Sequence, residues 1–292
     1  MEQFRFAKEH EKEAIKALWN QCFPREEDFT EYVFSHLFSE KTVIVGIENG
    51  KLLSCMHCFS VDLSFGGRVR KSVYFYGICT NPEARQRGIA SRMIAFACNE
   101  MRNASCEIAF LIPAGDSLFG YYAKLGFAPA FYRQKTFAFN FDNNSQLALN
   151  SAEDFTILNG IYTACMKGCA HVKRSLKDWQ DIETEAKLAG GSIQIFENKA
   201  YAVTAKEQGH LFIKEAFTIN PKIDIISAVM REENCTTATV FSPAAKKEGV
   251  PFAVAKLLNG TDDIKSVFLD SFYTFQTEGG SFLRPYLQFM HS

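Results

Sequence analysis

Arg85-Gln86-Arg87-Gly88-Ile89-Ala90 is the segment whose residue types and spacing most directly suggest chemistry. It follows an apolar, strand-like run and precedes an amphipathic, helix-like one. At such a junction several backbone N–H groups converge on one spot, and the helix dipole adds positive potential there. Gly88 lets a ligand approach the main chain, and Ala90 keeps the packing close. The combination suits a pyrophosphate. It is neither a Gly-Lys-Ser/Thr phosphate loop nor G-x-G-x-x-G. Six basic residues (Arg68, Arg70, Lys71, Arg85, Arg87 and Arg92) against one acid, Glu83, imply a local positive field around it. A turn carrying solvated arginines is the plain alternative.

A second group is Phe119-Gly120-Tyr121-Tyr122-Ala123-Lys124-Leu125-Gly126-Phe127. Tyr122 stands four residues before the glycine that would end a short helix. A phenol, with its pKa near 10, suits the return of a proton to a departing thiolate. Tyr121 reads as packing, although either ring could be core with a satisfied hydroxyl. Cys55 and Cys58 form a C-x-x-C inside a strand-like run, where odd spacing sends the sulfurs to opposite faces and argues against chelation. Cys165 and Cys169, near His171, lack a second ligand pair and read as core thiols.

The elements that must position these residues follow from periodicity. Ile15, Leu18, Trp19 and Cys22 predict a helix over 8–22, closed by Pro24, and the acidic run Glu26 to Asp28 suits the start of another. A β-branched run at 42–48 with Asn49-Gly50 predicts a tight hairpin into 51–64, and Gly66-Gly67 turns the chain into 69–80. Ile89, Met93, Ile94 and Ala97 predict a helix over 88–101. Residues 106–112 form a strand ended by Pro113. Asp116 or Ser117 caps a short helix stopped by Gly126, and 127–139 form a last strand. Asp142-Asn143-Asn144-Ser145 reads as a linker.

The second half repeats this order. Helices are expected at 152–166 and 175–188, then strands at 192–197, 200–206 and 210–218. A helix at 222–232 and strands at 237–241, 251–255, 266–274 and 282–289 complete it. IENGKL (47–52) echoes FENKAY (196–201), and GICTNP (77–82) echoes AFTINP (216–221), each at the same place in its own half. Together they argue for an internal duplication.

The chain has 292 residues, 47% of them hydrophobic, which suits two domains and argues against disorder. A net charge of -1, from 32 Lys plus Arg and 33 Asp plus Glu, speaks against a globally basic nucleic-acid binder. Nine scattered cysteines read as reduced thiols. The N-terminus lacks a signal peptide's apolar core, and no apolar run reaches the roughly 20 residues of a membrane span. A cytoplasmic protein is expected, with no nucleic-acid and no membrane partner.

YGICTNPEARQRGIASRMI followed by FGYYAKLGF resembles the acetyl-CoA-binding core of the Gcn5-related N-acetyltransferase (GNAT) superfamily. Arg85, Gly88 and Ala90 match its Q/R-x-x-G-x-G/A pyrophosphate loop, and Tyr122, Lys124, Gly126 and Phe127 match its Y-x-K-x-G-F signature. The resemblance covers about residues 3–139. CFPREEDFTEYVF and LIPAGDSLFGYYAKLGF are similar to the tandem branch related to the Eis acetyltransferases, where a degenerate GNAT-like domain follows the first. The third, sterol-carrier-like domain of Eis proteins is not expected in this chain. Ala114-Gly115-Asp116 stands where many family members carry an Asn.

The resemblance implies an α/β fold with a mixed sheet. Residues 1–140 would form the acetyl-CoA-binding domain, and 150–292 a degenerate GNAT-like domain walling the acceptor cleft. Acetyl-CoA would lie between strands 73–80 and 106–112. Main-chain groups of Ile78, Cys79 and Thr80 would pair with the pantetheine arm, and Arg85, Gln86, Arg87, Gly88, Ile89 and Ala90 would hold the pyrophosphate. No metal is implied. An amine on a small molecule or peptide would attack the thioester directly, with Tyr122 protonating the CoA thiolate. Glu83, Glu107 and the Ser292 carboxylate are candidate bases, and Cys79 borders the thioester channel. Lys222-Ile223-Asp224-Ile225 offers no glycine and a repelling acid, so the second half is expected to bind no CoA. An isolated 1–140 segment is expected to bind it. The alternatives are a CoA-binding sensor or scaffold and a Fem-like acyl or aminoacyl transferase, the latter disfavoured by the pyrophosphate loop.

Overall fold

A computed structural model describes residues 2–24, 27–65, 68–139, 149–150, 154–168, 170–244 and 248–259. The first half runs β1 (Glu2–Phe6), α1 (Lys12–Cys22), α2 (Glu27–Tyr32), β2 (Val43–Glu48), β3 (Lys51–Phe65) and β4 (Arg68–Thr80). It continues through α3 (Ile89–Asn103), β5 (Ile108–Leu111), α4 (Ser117–Lys124) and β6 (Ala128–Phe139). The second half has β7 (Leu149–Asn150), α5 (Phe155–Cys165), β8 (His171–Val172), α6 (Leu176–Leu188), β9 (Ile193–Phe196), β10 (Ala200–Glu207) and β11 (His210–Thr218). Then follow α7 (Ile225–Glu232), β12 (Thr237–Pro243) and β13 (Val250–Leu257). The expected linker and the expected strands at 266–274 and 282–289 lie outside the described residues.

The helices form where the apolar spacing places them. Ile15, Leu18 and Trp19 are the buried face of α1, and Ile89, Met93, Ile94, Ala97 and Cys98 that of α3. Asn49 and Gly50 take φ of 50° and 79° in the β2–β3 turn, and Glu197 and Asn198 take 50° and 54° in the β9–β10 turn. Both turns thus have two left-handed residues, the geometry that matches strand twist. The similarity extends to topology. Three antiparallel strands, a helix and a parallel strand recur as β2–β3–β4–α3–β5 and β9–β10–β11–α7–β12. In each copy the parallel pair is only three residues long, Ser72 to Tyr74 against Ile108 to Phe110, and Leu211 to Ile213 against Ala238 to Val240.

The halves share one mixed sheet, ordered β1-β2-β3-β4-β5-β13-β6-β12-β11-β10-β9-β7, with β8 beside β3. Two features were absent from the sequence reading. β1 pairs with β2, using the Phe4 and Phe6 alternation. More consequentially, β13 lies between β5 and β6, antiparallel to both. Ala253, Val254 and Ala255 are fully buried there. Residues 250–257 therefore complete the sheet of the first half, although they follow the second copy in sequence. β6 is long enough to pair with β12 as well, from Arg133 to Phe139.

This arrangement changes what residues 1–140 should do alone. Without β13, both β5 and β6 lose a partner and expose hydrogen-bonding edges beside Phe110 and Phe131. A 1–140 fragment is predicted to aggregate or remain unfolded on size exclusion and circular dichroism. A folded, monomeric fragment that binds CoA would contradict the structural dependence on β13.

Candidate active site

The site begins where β4 and β5 part. Their pairing ends at Tyr74 and Phe110, while β4 continues along β3 to Thr80. Gly77 causes the departure. It has φ +58°, and the β3–β4 register shifts between Cys55 and His57 opposite it. A Cβ at Gly77 would fall 1.9 Å from the Trp19 ring, so only glycine fits this bulge. Beyond it, the edge of β4 at Ile78 to Thr80 faces the opening rather than β5. Main-chain groups on a strand edge released in this way can accept an added extended ligand.

The mouth of the opening is the start of α3. Gln86 and Gly88 take positive φ, 63° and 74°, and Gly88 is the N-cap residue of the helix. Ile89, the first residue of α3, is buried in a small cluster with Leu53 and Ala84, while Ala90 is partly exposed. The first N–H groups of a 15-residue helix are thus presented at a turn with no side chain on its central residue.

The six basic residues do not form one field. Arg68 and Arg70 pair with Glu107, at 3.6 and 2.8 Å, and Lys71 donates to the Ala104 carbonyl. All three lie at the beginning of β4, some nine to twelve residues of strand from its end at Thr80, about 30–40 Å at 3.3 Å per residue. Arg87 pairs with Glu48 and Arg92 with Glu2. The expected positive field is therefore largely neutralised by glutamates from β1, β2 and the start of β5. Glu107, held by arginines at that far end, is also badly placed to serve as a base. Glu83 sits in the exposed turn Pro82–Ala84, and Ser292 lies outside the described residues.

Arg85 turns inward. Its Nε donates to the Thr80 carbonyl at 3.3 Å, and its guanidinium lies 3.9 Å from Cys22 Sγ at the end of α1. Cys22 also reaches the Thr80 carbonyl at 3.5 Å. Behind it, Cys79 and Cys55, cross-strand partners, bring their sulfurs to 3.5 Å. A hydrogen bond from Cys79, then the Arg85 cation, lowers the Cys22 thiol to about 6, while burial pushes Cys79 up. Sequence spacing gave no sign of this cluster, because its members lie on α1, β3 and β4. Cys55 and Cys58 do face opposite sides of the sheet.

Tyr122 is on α4, packed against Phe127 and Tyr121 on the α3 side of the sheet. Burial first, then Tyr121, raises its phenol, so the proton is held at neutral pH. Tyr121 instead exchanges a hydrogen bond with Ser91 of α3 at 3.0 Å. β13 sets the position of α4. Lys256 donates to the Leu125 carbonyl at 2.7 Å, capping the helix where Gly126, at φ +84°, ends it. Asp116 occupies the N-cap position of α4 but makes no side-chain cap bond.

The second copy carries a buried ion pair on the face covered by α5 and α6. Arg174 makes a bidentate ion pair with Glu215, at 2.6 and 2.8 Å, and lies over the Tyr162 and Trp179 rings. Tyr201 donates to the same carboxylate. At the start of α7, the Asp224 carboxylate accepts from the Ser227 N–H.

Residues 3–130 match the acetyltransferase (GNAT) domain family. No curated protein matches the chain. Among solved structures, the GCN5-related N-acetyltransferase of Anabaena variabilis is similar over 89% of this chain and 73% of its own, with TM-score 0.71 and 15% identity. Eis1 of Mycobacterium abscessus is similar over 88% of this chain and 74% of its own, at TM-score 0.62 and 11% identity. The GCN5-related N-acetyltransferase of Kribbella flavida matches over 88% and 70%, at TM-score 0.65 and 13% identity. The GNAT fold thus extends across both halves. Among the described residues no helix is long and apolar enough to cross a membrane.

Cys22 yields a prediction independent of turnover. Its alkylation by iodoacetamide, followed by peptide mass spectrometry, should rise with pH through a midpoint near 6, as the thiolate forms. The buried thiols should lag behind it. Cys79→Ala removes the hydrogen bond that lowers Cys22 most, and should move the midpoint upward. A midpoint in the ordinary thiol range for the unaltered chain would show that the cluster does not activate Cys22.

Proposed function

We propose that this chain is an acetyl-CoA-dependent N-acetyltransferase that passes acetyl directly to a primary amine. The observation that carries the reading is the opening of β4 from β5 at Gly77, with the left-handed Gly88 start of α3 at its mouth. The pantetheine arm would extend along Ile78, Cys79 and Thr80, and the pyrophosphate would meet the main chain from Arg85 to Ala90. Both features suit that ligand: the strand edge is released, and the turn carries no Cβ where phosphate must approach.

The reaction then needs little covalent help from the protein. The amine nitrogen attacks the thioester carbonyl carbon, and an N–H near Thr80 stabilises the developing oxyanion. The carbon–sulfur bond breaks, and Tyr122 gives its proton to the sulfur. The nitrogen loses a proton to solvent, since Glu107 is tied to arginines far from the opening and Glu83 lies in an exposed turn. The second half binds no CoA and walls the acceptor cleft. The Asp224 carboxylate at the α7 start supports this.

Gly88→Asp places an anion where phosphate must come, and is expected to weaken acetyl-CoA binding about tenfold or more by calorimetry. Unchanged affinity in a folded Gly88→Asp protein would remove the pyrophosphate assignment. Tyr122→Phe should lower kcat by about 100-fold, with a smaller change in KM for acetyl-CoA. A larger loss in Tyr121→Phe would transfer the acid role to that residue.

A further inference from the structure

Side chains from four elements meet at the end of α1, and the transfer reaction above makes no use of their sulfur chemistry. Cys22 ends α1, Cys55 is on β3, Cys79 is on β4, and Arg85 comes from the loop before α3. Their contacts form a series that leads from the surface into the core. The Arg85 guanidinium lies 3.9 Å from Cys22 Sγ. Cys22 accepts a hydrogen bond from Cys79. Cys79 Sγ in turn lies 3.5 Å from Cys55 Sγ. Burial rises in the same order: Cys22 is half-buried, whereas Cys79 and Cys55 are 2% and 0% exposed.

This series differs from the thiols on the other face. Cys58, Cys98 and Cys106 lie in the core beneath α3, and burial raises all three, so they keep their protons. A thiol attacks an electrophile as its thiolate. Cys22 holds that form at neutral pH: the hydrogen bond from Cys79 lowers it, burial opposes, and Arg85 lowers it further, to about 6. Cys79 stays protonated, because burial and then its two sulfur neighbours raise it. An accessible thiolate thus touches a protonated thiol, the arrangement in which one sulfur can be oxidised and its neighbour can resolve it.

We propose that Cys22 is the entry point of a three-thiol relay, in which a hydroperoxide oxidises Cys22 and the oxidation passes inward to become a disulfide between Cys79 and Cys55. The relay goes beyond the transferase reading and does not depend on it. In the first step the Cys22 thiolate attacks the terminal peroxide oxygen. The O–O bond breaks, the departing alkoxide or hydroxide takes a proton from solvent, and Cys22 becomes a sulfenic acid. The Cys79 sulfur then attacks the Cys22 sulfur. The S–O bond breaks, and hydroxide leaves as water with the Cys79 proton. Cys55 next attacks the Cys79 sulfur, giving its own proton to solvent, and Cys22 departs as the thiolate it was before. In total one hydroperoxide is reduced to an alcohol or water, one further water forms, and two thiols are oxidised to one disulfide.

The direction of the last step follows from the leaving group. In thiol–disulfide exchange the thiol of lower pKa leaves faster, and Arg85 stabilises Cys22 as it departs. The geometry of the terminal pair suits the product. Cys55 and Cys79 are directly opposed across β3 and β4. Opposed residues of antiparallel strands have Cα atoms about 4.5–5.5 Å apart, inside the range of about 4.4–6.8 Å that a disulfide spans.

The test treats the reduced full chain with one equivalent of hydrogen peroxide, quenches with an alkylating reagent and maps the cysteine peptides by mass spectrometry. A Cys55–Cys79 disulfide should form, be reversed by dithiothreitol, and leave Cys22 open to alkylation. Cys55→Ser should stop the relay at a Cys22–Cys79 disulfide, and Cys79→Ser at a Cys22 sulfenic acid that dimedone traps. Cys22→Ser should slow disulfide formation by about tenfold or more. Arg85→Met should slow it in the same direction by less, with melting temperatures reporting on the fold of each variant. A Cys79 thiol that stays reduced in the unaltered chain, or an unchanged rate in Cys22→Ser, would overturn the relay. A Cys22–Cys79 disulfide as the final product of the unaltered chain would overturn its last step.

Discussion

β13 is hydrogen-bonded along both edges, to β5 on one side and β6 on the other, and much of the molecule hangs on that double pairing. It closes the gap that β5 would otherwise leave, so that β5 can part from β4 on its other side without losing its place in the sheet. Lys256 of the same strand caps α4, the helix that carries Tyr122. Just beyond it, the Leu258 carbonyl accepts from Arg102 at the end of α3, and Asn259 donates to the Cys106 carbonyl. One short segment from late in the sequence thereby fixes both helices of one face relative to the opening.

The two copies show how one framework yields different interiors. Each has a parallel pair that ends after three residues and a bulge in the strand that leaves it. In the first copy the bulge carries glycine, Gly77. In the second, Lys214 and Glu215 stand at the bulge, and Arg174, Tyr162, Trp179 and Tyr201 pack around Glu215. A fully buried ion pair contributes little net stability unless its partners satisfy it, and removing one member leaves a buried charge. The second copy therefore keeps this buried pair through mutual satisfaction of the network.

Local signals were legible because they depend on neighbours in sequence. The stripes of α1 and α3, the left-handed Asn49-Gly50 turn and the Gly126 stop all arise within a few residues. Even the duplication could be read, since paired six-residue segments fall at matching places. What sequence concealed was non-local. β13 has an ordinary strand composition, and nothing in 250–257 states that its partners are β5 and β6. The density of arginines near the loop suggested a field that Glu2, Glu48 and Glu107 cancel from elsewhere in the chain. The approach of Cys22 to Arg85 likewise depends on where α1 lands against β4.

The place of β13 also sets an order of events during synthesis. A chain emerging from its N-terminus can form the β2–β3–β4 hairpins and α3 early, from local contacts. The seam between β5 and β6 must stay open until residues 250–257 have been made, more than a hundred residues after β6 begins. Such sequence-distant pairing is slow to form, and an unfilled seam is a template for pairing with other chains. The second copy must fold, or at least compact, while this seam waits. Its rapid folding would shorten the interval by bringing β12 alongside β6 and delivering β13 to the remaining gap, so the second copy would act as a vehicle for the strand that completes the first.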